Sequence, residues 1–171
     1  MKQPIKVIEL TNAVYQSYLG KYFLGQTDIM EFGDQYYAWG GLINPADSGI
    51  NMFLNAYTIS NFSDEAVTAE GWLSSTLPGG GKKSMHLAAG NQSISPPPLP
   101  KVEIQNMSFV QKTPISGTYT FVRRVEPSQT LTKHDFQGMY IIPPGSSFAL
   151  LFKCPQKKHI QVTVAFGWWE E

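Results

Sequence analysis

The sequence predicts an all-β protein: a single β-sandwich of jelly-roll-like connectivity with one short N-terminal helix. Three observations predict it. Apolar and polar residues alternate with period two in several segments. β-Branched and aromatic types dominate those segments. Fifteen glycines and twelve prolines punctuate the chain between them. At 171 residues a single domain over 1–171 is expected, burying roughly 70% of the surface that the unfolded chain exposes.

Residues 11–19 form the one expected helix. Thr11 can cap it, Leu10, Val14 and Tyr18 recur at spacings of four, and Gly20 suits a left-handed C-terminal cap. From Phe53 to Ser63 the pattern is that of a strand with one strongly apolar face. The segment 67–75 is expected to pair with it as a hairpin across Asn61, Ser63 and Asp64. Residues 76–101 read as a long Gly/Pro-rich surface connection. Its tri-glycine (Gly79–Gly81) is expected to be mobile, and Pro96, Pro97, Pro98 and Pro100 favour an extended polyproline rod. Alternation returns at 101–111 and 117–125. The apolar run Phe148–Phe152 suggests a strand covered on both faces, and the last strand alternates through Ile160, Val162, Val164, Phe166 and Trp168.

Composition excludes several classes of function. Thirteen basic residues balance thirteen acidic ones and only 15% of the chain is charged, so the basic footprint of a nucleic-acid partner is missing. No apolar window approaches the roughly 18 residues of a membrane helix. The N-terminus lacks the apolar core of a signal peptide, so synthesis in the cytoplasm without membrane insertion is expected. Cys154 is the single cysteine. It cannot form an intrachain disulfide, which leaves a bridge between chains or a small core residue.

No catalytic constellation emerges, and neither an enzyme nor a cofactor is expected. The segment around Gly79–Ser84 lacks the glycine spacing of a phosphate loop. His86, His134 and His159 are too far apart in sequence for a metal motif. Lys133-His134-Asp135 reads as a polar turn, because neighbours on a strand face opposite ways. The pairs Asp64-Glu65 and Glu170-Glu171 do not frame a cleft.

Two readings then compete. Zero net charge with 13% aromatic residues leaves little repulsion between copies and much apolar area for contact. This favours self-association, with Trp168, Trp169, Cys154, Pro78, Lys82, Lys83, Pro97 and Pro98 as assembly contacts. The alternative is a carbohydrate- or surface-binding module using exposed rings among Tyr36, Tyr37, Trp39, Trp72 and Trp169.

The segments YFLGQT, AWGGLINPADSGINMFLNAYTISNFSDE, IPPGSSFALLF and VAFGWWEE resemble a small uncharacterised family of endospore-forming Firmicutes, and more distantly exosporium and parasporal-body proteins. The resemblance implies a structural protein deposited on or beside the spore as an ordered array or crystal, with itself or a second spore-associated protein as partner. It implies no functional residue.

Overall fold

In a computed structural model, which describes residues 7–114, 116–153 and 158–171, the chain forms the expected helix as α1 (Asn12–Tyr18). Gly20, at φ +76°, ends it. The Gly20 and Lys21 amides donate to the Ser17 and Gln16 carbonyls, both at 2.9 Å, closing the helix with the glycine-dependent cap read from the sequence. The apolar face read from the sequence is turned outward: Leu10, Val14 and Tyr18 are exposed, and the buried helical residue is Gln16.

The strands that follow among the described residues are β1 (Tyr22–Gln26), β2 (Met30–Phe32), β3 (Tyr37–Asn44), β4 (Met52–Asn61), β5 (Val67–Leu73), β6 (Lys82–Lys83), β7 (Leu87–Ala89), β8 (Glu103–Val110), β9 (Thr118–Val125), β10 (Thr130–Lys133), β11 (Tyr140–Ile142), β12 (Ser146–Lys153) and β13 (Ile160–Glu170). They make two antiparallel sheets. The first runs β10-β4-β13-β1-β7, with β11 beside β4 and β2 beside β13. The second runs β6-β8-β3-β12-β5-β9. Within them, β1-β13-β4-β10 lies against β3-β12-β5-β9. In chain order these eight strands switch sheets at every step except β5 to β9, which is jelly-roll connectivity.

That connectivity corrects the expected hairpin. β4 and β5 are neighbours in sequence but belong to different sheets, so residues 62–66 arch across the sandwich. Asn61 anchors the arch by donating from its amide to the Glu65 and Glu126 carbonyls at 2.7 and 3.1 Å. The long 76–101 connection is also corrected. It contains β6 and β7, which pair with β8 and β1 respectively.

The core lies between the sheets and includes Phe32, Leu42, Leu54, Ile59, Phe148, Phe152, Val162, Val164 and Trp168, all fully buried. Burying each such side chain contributes about 1.5–3 kcal/mol. β12 is covered on both faces, as its apolar run predicts. Phe148, Leu150 and Phe152 enter this core, while Leu151 joins a second cluster with Trp39 and Val110 on the outer side of the second sheet.

Candidate functional site

The terminal tryptophans are interior residues, which corrects their expected role as surface contacts. Trp168 faces the core, and its Nε1 donates to Glu170 Oε1 at 3.1 Å. Trp169 does point to the opposite face, as alternation requires, yet it is only 1% exposed. It stacks on Phe53 with ring centroids 5.4 Å apart and planes 3° from parallel. Gly138 backs against it so closely that a Cβ there would lie 2.3 Å from the indole. Glu170, which follows them, is buried, and its carboxylate accepts from the Lys101 and Val102 amides at 3.0–3.1 Å. The chain end thereby fastens the end of the 76–101 segment. Cys154 lies outside the described residues.

The remaining expected assembly residues fall on that segment. Pro78 begins a flap over the second sheet, and its carbonyl accepts from Trp39 Nε1 at 2.8 Å. Gly81 sits so close that a Cβ would lie 2.3 Å from the Trp39 ring. Of the expected mobile tri-glycine, Gly81 is packed on Trp39, which is buried beneath it, whereas Gly79 and Gly80 are exposed and Gly80 has open space around it. Lys82 pairs with Asp28 at 2.7 Å, and Lys83 pairs with Glu103. Pro97 is exposed, while Pro98 packs near Gly20.

The outer face of the second sheet gathers three of the five expected ring contacts, Tyr37, Trp39 and Trp72. Antiparallel register sets Trp39 beside Leu151 and Leu151 beside Glu70 in one row, with Gly41, Ala149 and Trp72 in the next. Trp72 meets Tyr119 of β9 with centroids 5.5 Å apart at 51°. Trp72 Nε1 donates to Glu70 Oε2 at 3.3 Å, and Lys153 Nζ donates to Glu70 Oε1 at 2.8 Å. The same ammonium lies 5.6 Å from the centre of the Tyr37 ring, within cation–π range. A diagonal stripe results: Tyr37, Lys153, Glu70, Trp72, Tyr119. Tyr36 is not part of it. It packs edge-on against Phe109 at 6.1 Å and lines a separate hollow of about 440 Å³ beside Pro78.

Sequence reasoning missed Glu70 and Lys153. Lys153 follows the apolar run of β12 at a position whose parity with Leu151 places it on the outer face, so the signal was present. Glu70 carried none.

Beside the first sheet a run of exposed apolar residues lies along the N-terminal segment and α1, with Leu24 of β1 and Ile141 of β11 exposed elsewhere on that sheet. Val7 and Tyr18 are 81% and 73% exposed, and Ile8, Leu10, Val14, Tyr15 and Leu19 are exposed with them. The helix is held down instead by polar contacts. Gln16 Nε2 donates to Glu171 Oε1, and Asn91 Nδ2 donates to the Tyr18 carbonyl at 3.2 Å.

The sheet edges differ from this apolar end. β6 is two lysines long and β7 three residues. β10 ends on Lys133, which is paired with Asp135 at 2.7 Å. β9 is longer, but its register breaks opposite Gly71/Trp72, where Thr120 Oγ1 donates to the Gly71 carbonyl at 2.9 Å. Arg123, paired with buried Ala69, lies 4.8 Å over the Phe121 ring and so points inward from that edge. Short length, lysines, a bulge and an inward charge are the features that stop strands from adding to an edge.

Two of the histidines lie beside carboxylates. His86 lies 3.4 Å from Asp28, and His159 lies 3.5 Å from Glu31. The Lys133 ammonium holds the Asp135 carboxyl below its usual range. Among the described residues no group of three or more His, Cys, Asp or Glu side chains is placed to hold a metal ion. No helix among them is long and apolar enough to cross a membrane.

Fold and surfaces together define a two-sheet jelly-roll β-sandwich with an apolar N-terminal face on one sheet and a mixed aromatic and charged stripe on the other. The chain belongs to the family of unknown function DUF6143, whose model matches residues 1–171. No curated protein shows a significant match to it, and no solved structure does so.

Proposed function

We propose that this is a non-enzymatic structural protein that self-associates into an ordered array, with a second copy of the chain docking on the apolar face of α1 and the residues preceding it. The observation that carries the reading is the run of exposed apolar side chains from Val7 to Leu19, a patch of the kind that marks an interaction surface. Zero net charge supports it, because copies lack the long-range repulsion that keeps proteins apart. The guarded edges direct association to this face rather than to strand addition. Deposition on or beside a spore, alone or with a second spore-associated protein, is the setting that the sequence resemblance implies.

Sedimentation velocity of the native chain and of a Val14→Glu/Tyr18→Glu variant tests the reading. The native chain should sediment as larger species with rising concentration, and the variant should remain a monomer with unchanged melting temperature. Equal association by both would overturn this face as the contact. α1 is fixed by Gln16, and the two substituted side chains are exposed, so the variant should retain the fold.

A further inference from the structure

We infer that the stripe on the outer face of the second sheet is a binding site for a neutral, extended oligosaccharide. Its components are arranged as such a ligand requires. Tyr37 stands at one end, Trp72 with Tyr119 at the other, and the Lys153–Glu70 pair lies between them. Sugar rings present apolar C–H faces that lie against aromatic rings, and their hydroxyls need both donors and acceptors along the same line. Lys153 offers donors and Glu70 offers acceptors. Their side chains keep 29% and 18% exposure, so both still reach solvent and a ligand, while partial burial strengthens charge-assisted hydrogen bonds.

Geometry sets the size of the ligand. Tyr37 and Trp72 are two strands apart and four residues apart along the sheet. Strand spacing and rise then put them about 16 Å apart, a length spanned by roughly three sugar units of an extended chain. Charge sets its class. The stripe's one cation and one anion neutralise each other, so nothing selects a charged sugar. The ion pair also interrupts the rings, so the stripe is not the continuous apolar surface that a helix or a second copy would seek. Both rings are supported: Tyr37 and Trp72 pack against the Trp39–Leu151 cluster, and Trp39 is bonded to the Pro78 carbonyl, a support that lowers the ordering cost of binding.

This site is separate from the proposed assembly face, since α1 packs on β1 and β13 of the first sheet. The test uses calorimetry with neutral β-1,4-linked hexasaccharides of glucose, N-acetylglucosamine, mannose and xylose, each titrated to millimolar concentration. At least one should bind the native chain. Trp72→Ala and Lys153→Met should each weaken that binding about tenfold or more, and Trp72→Phe, which keeps a ring on the same support, should retain it within a few-fold. Absence of binding by all four probes would overturn the proposal, as would binding equally strong in Trp72→Ala. Neither result bears on sedimentation of the Val14→Glu/Tyr18→Glu variant, so the two readings fail independently.

Discussion

Tyr57 carries a phenol into the core between Phe121, Phe136 and Phe148, and among the described residues its hydroxyl meets no hydrogen-bond partner. Burial pushes its pKa from 10.0 to about 12, outweighing the opposing pull of Arg123 beside it. A raised folded-state pKa on a group that is neutral when protonated gives stability that is complete below the unfolded value. That stability is lost as pH climbs from about 10 towards about 12. Tyr57→Phe removes the unsatisfied hydroxyl and keeps the ring, so it should raise unfolding free energy by about 1 kcal/mol at neutral pH. It should also flatten the alkaline decline in melting temperature. Urea titration at pH 7 with melting curves across the alkaline range checks both, and a variant less stable than the native chain would show that the hydroxyl is bonded. Trp169 teaches a related lesson. Its parity was readable from the alternation of β13, but its cover, Phe53 and Gly138, comes from distant segments that no local pattern announces.

At the scale of elements, the strands were largely visible in the sequence and their partners were not. Period two located β4, β8, β9 and β13, because half-buried sheets impose that spacing whatever their topology, and a continuous apolar run located β12. The arch at 62–66 carries the same Asn, Ser and Asp signals as a hairpin turn, so sequence neighbours that cross between sheets look paired. For α1 the spacing of four put the apolar residues on one face but left its direction open. Gln16 reaches across 155 residues to Glu171, and the apolar face points outward. For β9, the inward Arg123 is the feature most open to trial. Arg123→Val removes the charge that guards the edge while adding a β-branched residue suited to a strand. The variant should form thioflavin-positive aggregates faster than the native chain under agitation, and equal lag times would mean that the bulge at Thr120 alone protects this edge.

For the whole molecule, two surfaces on opposite sheets are available for function, and they ask for different partners. The jelly roll buries Trp168 and Trp169 and ties down the 76–101 flap, and four guarded edges close the route of strand addition. The two proposed contacts use opposite sheets, the apolar N-terminal face for another copy and the aromatic stripe for a sugar. Copies joined through one sheet would leave the other sheet's stripe facing outward, so an array could present it repeatedly. Composition alone indicated association through its neutral charge, but not which surface. Exposure is a property of the completed fold, and of the residues first singled out by type, Trp39, Trp168 and Trp169 are buried by it. The central claim of self-association is tested most directly by light scattering with electron microscopy on the native chain across a concentration series, with and without reductant. Ordered sheets, fibres or crystals that grow with concentration and persist under reductant are the predicted result, and a stable monomer at high concentration would contradict it.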